Sequence, residues 1–328
     1  MKWFRSRRLL ANGPLLRWLL RGWQAIEVTS GITDSGDLAL ERERREELWM
    51  RIREAHPDGR VSPGLLNSLF VKRGQRGIYR DLDRTGHIAT QGVAVSVHHT
   101  GRSYADDVSG KYLLYHFPRT QSRTTDEGEI QSIRNAHDLR LPVFAIIDEG
   151  TWRRVEFGFV DGVDDGIRCC SIVFTGTLRS PSILRESFPR EDSPFSMEPR
   201  RTRLTESAQR DPRFKFEVLK RYSGKCPLTG ISVKPMVDAA HVVEVKDGGS
   251  DAVSNGMLLE KGVHAAFDSH LWAIHPDSLV IVTRRGGPSR ADMGITVDQL
   301  NPAEPLPHPD AISQRWERFQ RASRKLVA

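Results

Sequence analysis

Three side chains able to do chemistry stand in order within VDAAHVVEVKDGGSDAVSNGMLLEKGVHAAFD, residues 237–268: His241, Asn255 and His264. Hydrolysing a phosphodiester needs a base to activate water, and a divalent cation to hold a phosphate oxygen and the leaving 3′ oxygen. A neutral imidazole on a rigid strand suits the base. An imidazole on a facing helix suits a metal ligand. An amide between them can fix the loop backbone or complete the coordination. A lone histidine is more often a structural residue, but the ordered set His, Asn, His over strand, loop and helix argues for a site. Asp238 and Asp268 are the nearby carboxylates, and Asp268 follows His264 at i+4, on the same helix face. Each is as readily a cap or loop contact as a ligand.

These residues need elements to hold them. VDAAHVVEV reads as a strand, KDGGSDAVSNG as a turn-rich loop and MLLEKGVHAAFDSHL as a helix. Ahead of them, PRFKFEVLKRYSGKC carries Phe216, Leu219 and Tyr222 at helix spacing. Between about 73 and 175 the pattern is different. GVAVSVHHT, KYLLYHF, LPVFAIID, RRVEFGFVDGV and IRCCSIVF are short apolar or alternating runs, which predict a mostly antiparallel sheet or barrel. DEGEIQSIRNAHDLR among them reads as a helix. Residues 37–56 have helical spacing, with Leu38, Leu40, Leu48, Trp49 and Ile52 on one stripe. SPGLLNSLF reads as a second helix, with Ser62 as its N-cap and Pro63 at its first position. The expected fold class is α+β: a helical segment over 1–58, a strand-rich domain over 59–176, a Ser-, Pro- and Arg-rich linker over 177–211, and a second domain over 212–328.

Bulk properties agree with this division. A chain of 328 residues suits about two domains, and a 38% apolar fraction excludes global disorder. The net charge of +7 favours a polyanionic partner, though weakly by itself. Cys169, Cys170 and Cys226 cannot build a disulfide framework, since adjacent cysteines rarely pair and one is always left over. That points to a reducing, cytoplasmic location. The first residues, MKWFRSRRLLANGPLLRWLLRGW, are cationic, and Arg17 and Arg21 interrupt their apolar run. They read as an amphipathic surface helix or a poorly ordered extension rather than a signal sequence, and no membrane partner is expected.

The pieces VLKRYSGKCPLTG, AAHVVE, GGSDAVSNGMLL and VHAAFDSHLWAI, over about 213–275, resemble the HNH nuclease family in its version without a zinc ribbon. The resemblance implies a ββα-metal domain that cuts double-stranded DNA with Mg²⁺ or Mn²⁺. It makes His241 the general base, Asn255 the organiser and His264 a metal ligand. The sequence departs from the pattern in three places. Ala240 stands where many members carry an aspartate or histidine ligand, which leaves Asp238 or Asp268 to supply a carboxylate. Glu244 stands where many have proline. Thr229 leaves Cys226 without a CxxC partner, so Cys226 reads as a core thiol and no structural zinc is expected.

The upstream domain has its own cations. Lys72, Arg73, Arg76 and Arg80 cluster near a glycine-rich turn, and Arg102, Arg119 and Arg123 add to them. Cations at loop tips over a sheet suit phosphate contacts. GQRGIY, HTGRSYADD, YHFPRT and LPVFAI resemble the DNA sulfur-binding domain that accompanies HNH modules in type IV (McrA-like) restriction enzymes. That implies recognition of a phosphorothioate by a small apolar cavity. Phe117 and Pro118 are the residues expected to form it, with Arg76, His116 and Arg119 at its rim. His98 and His99 should face opposite sides of a strand. Two other readings stand beside this one. An SRA- or PUA-like pocket for a modified cytosine would draw walls from Tyr104, Tyr112 and Tyr115. A nuclease-inactive DNA-binding protein is kept open by the gap at Ala240. A homodimer is also left open, and the linker suggests a nuclease tethered so that it cuts away from the mark.

Overall fold

The computed structural model describes residues 35–74, 77–101, 107–176, 193–195 and 212–324. The expectations for residues 1–34, for Arg76, Arg102 and Tyr104, and for nearly all of the linker fall outside these. In the first described segment α1 (Ser35–Ala55) precedes β1 (Arg60–Val61) and α2 (Pro63–Ser68), with Ser62 Oγ accepting from the Leu65 amide as the cap. Then come β2 (Ile78–Arg80), α3 (Leu82–Thr85), β3 (Ala94–His99), β4 (Tyr112–His116), α4 (Arg123–Asp138), β5 (Val143–Glu149), β6 (Trp152–Asp164) and β7 (Cys169–Phe174).

The strands make one sheet in the order β2-β3-β5-β6-β7-β4, with β1 on β6. Among the described pairings only β3 and β5 run parallel, the connection between them carrying β4 and α4. The two edges of the sheet approach each other: the Tyr115 hydroxyl of β4 lies 2.4 Å from where a Cβ on Gly77, next to β2, would stand. One face of the sheet packs against Ile130, Ile133 and Ala136 of α4, and the other against Leu48, Trp49 and Ile52 of α1. Leu40 does not share that stripe and is 63% exposed. The helix instead buries Glu41 and Arg45. The Arg45 guanidinium bonds Glu41 at 2.8 Å and donates to the carbonyls of Ala94 and Pro142. An apolar count along the helix misses a face that is partly a satisfied ion pair.

The second module contains α5 (Pro212–Arg221), β8 (Val237–His241), β9 (Gly256–Glu260), α6 (Lys261–Asp268), β10 (Trp272–Ile274), β11 (Ile281–Thr283) and α7 (Pro309–Arg324). Met257, Leu258 and Leu259, expected in a helix, form β9 and pair with Ala240, Ala239 and Asp238 of β8. A short, wholly apolar run carries no period that separates strand from helix. The helix starts later because the Glu260 carboxylate caps it, accepting from the Gly262 and Val263 amides.

Leu114 and Cys169 of the sheet share one core with Phe214 and Phe216 of α5. The Phe216 ring sits 2.9 Å from where a Cβ on Gly162 of β6 would be, so a side chain there would separate the modules. The sheet and the second module therefore pack directly on each other, which a tethered nuclease would not require. No helix among the described residues is long and apolar enough to cross a membrane.

Candidate active site

The hairpin β8–β9 lies between α5 and α6 and carries Asp238, His241 and Asn255, while His264 and Asp268 stand on α6. His241 ends β8 opposite Gly256. A Cβ on Gly256 would come within 2.3 Å of Val218 and 3.0 Å of the Phe214 ring, so the glycine lets α5 close on the hairpin. The Phe214 ring then stacks on the His241 imidazole, with centroids 4.0 Å apart and planes 8° apart. Asp251 Oδ1 lies 3.0 Å from His241 Nε2. With Nε2–H donating to that carboxylate, the lone pair resides on Nδ1.

Asn255 is fully buried. Its Oδ1 accepts from the Val243 amide, and its Nδ2 donates to the carbonyls of Val243 and Ser250, each at 2.9 Å. A Cβ on Gly249 would fall 1.8 Å from the Val243 carbonyl oxygen and 2.9 Å from Asn255 Nδ2, so the loop can fold over the amide only with glycine there. Asn255 thus ties together the two ends of the loop that leads from His241 to Asp251. These bonds use both amide hydrogens, which gives the side chain a positioning geometry.

His264, on α6, is buried between two carboxylates. Asp238 Oδ2 is 3.7 Å from its Nδ1, and Asp268 Oδ2 is 3.4 Å from its Nε2. Strand alternation places Asp238 on the same strand face as position 240, one pleat earlier. Arg315 of α7, 2% exposed, lies behind them. Its Nη1 is 3.3 Å from Glu244 Oε1, its Nη2 donates to the Phe267 carbonyl and stands 3.9 Å from Asp268 Oδ1, and its plane covers the Phe267 ring at 4.0 Å. Glu244 also bonds Lys246 at 2.6 Å. Burial pushes the Glu244 carboxyl up, but Lys246 and Arg315 outweigh it and hold it below the usual range.

Asp251, Phe214 and Arg315 were not singled out from sequence. Asp251 lies inside the stretch that was, four residues before Asn255, and a carboxylate near a candidate base was a usable signal. Arg315 gave none, being one arginine among several on a charged helix.

The sheet domain corrects the proposed cavity. Phe117 is 6% exposed and belongs to the sheet core, so it offers no open wall. Pro118 is half-buried, and its carbonyl accepts from Arg168 at 2.9 Å. His116 turns inward rather than to a rim: its Nε2 is 2.7 Å from Asp107, and its Nδ1 is 3.0 Å from Cys169 Sγ and 3.2 Å from Lys234 Nζ. Asp107 also takes Lys215 Nζ of α5 at 2.8 Å, so this polar group joins the two modules. Burial outweighs the Asp107 carboxylate and lowers the His116 pKa. Tyr112 and Tyr115 are 6% and 5% exposed, filled into the core rather than lining a base pocket. Arg73 and Arg119 are exposed, and Arg123 lines an open cleft with Gln131 and Arg134.

Residues 226–275 match the family model described as HNH endonuclease. No protein of curated function matches the chain. Among solved structures, a modification-dependent TagI restriction endonuclease is similar at 18% identity and a TM-score of 0.31, over 79% of this chain and 90% of that one. The type IV phosphorothioation-dependent restriction endonuclease ScoMcrA is similar at 14% identity and a TM-score of 0.23, over 69% of this chain and 59% of that one.

Proposed function

We propose that this chain, in which residues 226–275 form an HNH endonuclease domain, is a modification-dependent endonuclease that binds phosphorothioate-containing double-stranded DNA and hydrolyses it with a divalent metal ion. One observation carries the nuclease half. On one hairpin and the helix that follows it, His241 is oriented by Asp251 while His264 stands between Asp238 and Asp268.

His241 Nδ1 takes a proton from the attacking water. Asp251 keeps the imidazole in the required tautomer and stabilises the imidazolium that results. Phe214 fixes the ring plane, and Asn255 fixes the loop that brings Asp251 to it. Among the described residues no three His, Cys, Asp or Glu side chains converge as a complete metal cage. The donor set still suits Mg²⁺ or Mn²⁺, which take one or two protein carboxylates and complete their shell with water and substrate phosphate. His264 and Asp238 would hold the cation, because Asp268 is more exposed and partly neutralised by Arg315. Bound there, the ion supplies Lewis-acid stabilisation of the phosphate and of the leaving 3′ oxygen.

For the reader half, sulfur is larger and less strongly hydrated than oxygen, so it gains from apolar contact. With Phe117 in the core, half-buried Pro118 beside exposed Arg119 is the remaining apolar surface of the YHFPRT stretch. The test compares binding to matched duplexes containing phosphorothioate, 5-methylcytosine or neither, followed by cleavage with Mg²⁺ or Mn²⁺. The expected result is tightest binding and metal-dependent cleavage of the phosphorothioate duplex. Equal binding of all three would refute the reader, and cleavage unaffected by chelation would refute the metal site.

A further inference from the structure

The strongest unassigned group of side chains lies on the sheet, where β3 and β5 end side by side. Lys72 Nζ bonds His98 Nδ1, and His98 Nε2 bonds Asp148 Oδ1. Arg153 Nε meets the same carboxylate oxygen at 2.8 Å. These residues come from the segment after α2, from β3, from β5 and from β6. With Nδ1 accepting from the ammonium and Nε2 donating to the carboxylate, His98 is the neutral tautomer. The four groups then carry two positive charges and one negative.

We infer that Lys72, held by the His98–Asp148–Arg153 relay, is an anchoring site for a phosphate of the DNA backbone on the sheet domain, an inference that rests on this domain binding DNA. The charge balance supports it: a net cationic group that is only partly exposed is completed by an anion. The spare donors support it as well. Lys72 Nζ has three hydrogens, and among the described residues its one hydrogen-bond partner is His98. Arg153 is fixed in place, with Nη1 donating to the carbonyls of Gly150 and Trp152 at 2.9 Å. The Lys72 backbone is fixed too, since Ser96 Oγ donates to the adjacent Val71 carbonyl at 2.7 Å. The surroundings suit nucleic acid. Phe70 and Trp152, sequence neighbours of Lys72 and Arg153, are 41% and 51% exposed, and Arg73 stacks over Phe70 at 4.5 Å. Burial, helped by Arg153 and opposed by Asp148, lowers the Lys72 pKa to about 8. A bound phosphate favours the protonated form, so affinity is full below that pH and falls as pH rises through it.

The test uses the full chain in EDTA, so that no cutting occurs, with the same three duplexes and a salt titration at pH 7. Lys72→Met should weaken all three by the same factor, roughly tenfold, and reduce the slope of log affinity against log salt by about 0.9, the loss of one phosphate contact. It should also remove the fall in affinity near pH 8. Lys72→Arg should restore the salt slope without restoring the pH step, which separates a lost charge from a damaged fold. An unchanged slope in Lys72→Met overturns the anchor, and so does a loss confined to one modification. If wild type binds all three duplexes equally but Lys72→Met still loses one unit of slope, the modification reading fails and the anchor stands.

Discussion

Among the imidazoles held by carboxylates in this molecule, His264 and His98 have surroundings that differ in sign. His264 stands between Asp238 and Asp268, so the excess charge at the nuclease hairpin is negative. His98 stands between Lys72 and Asp148, and Arg153 shares that carboxylate, so the excess at the sheet is positive. The same side chain thus belongs to a cation site in one module and an anion site in the other. The neighbours decide which. Changes at the hairpin and α6 should therefore alter cutting and metal demand. Changes at the sheet should alter affinity and its salt dependence.

The largest effect is expected at His241. His241→Ala should reduce cleavage by about 10²–10⁴-fold, the usual contribution of a general base, with DNA affinity retained. Single-turnover cleavage and equilibrium binding of one duplex measure both. A matching loss of binding would mean that His241 is a contact residue, and the division of labour between the modules would fail. Asn255→Ala comes next and acts on stability. It strands the Val243 amide and two carbonyls in a buried loop, at a cost of about 1–3 kcal/mol for each group left unpaired. Denaturant unfolding should show the loss, and unchanged stability would mean that the loop does not depend on this amide.

The nuclease hairpin could be read from sequence because its parts are close along the chain. His241, Asn255 and His264 sit on a strand, a loop and a helix that follow one another, and the glycines between them mark the tight places. The roles of their supports were harder to see. The approach of Asp238 to His264 depends on β8 and α6 packing face to face. Arg315 reaches Asp268 and Glu244 from a helix far along the chain. The sheet cluster was less legible still. Lys72, His98, Asp148 and Arg153 come from four separate segments; strand pairing brings the last three together, and Lys72 joins them from the segment after α2. His116 shows the converse. Its neighbours in YHFPRT suggested a ligand rim, but Asp107 and Lys234, which hold it inward, are contacts that no local pattern announces.

A smaller effect sharpens the cation side. Asp238→Asn should raise the Mg²⁺ or Mn²⁺ concentration needed for half-maximal cleavage by about 10–100-fold. Asp268→Asn should raise it less, because Arg315 already neutralises part of that carboxylate. Cleavage measured across a metal titration distinguishes them. The reverse order would move the cation to the Nε2 side of His264, between it and Asp268.

The smallest effect concerns the contact between the modules. Burial lowers the His116 pKa in the folded chain, against the pull of Asp107. The folded state therefore binds a proton less readily there than the unfolded chain does. The unfolded chain holds more protons just below pH 6.5, the ordinary histidine value, so stability rises with pH in that window and is lost as pH falls through it. Burial lowers His98 as well, against Asp148, and His99, against Asp107 and more weakly Asp148, so they contribute with the same sign. Thermal unfolding from pH 7 down to pH 5 should show a gradual decline, and His116→Gln should make it shallower. An equal decline in His116→Gln would assign the acid sensitivity to the sheet's other histidines. The contact through Asp107, Lys215 and Lys234 would then hold whatever the charge on His116, and the two modules would respond to acid independently.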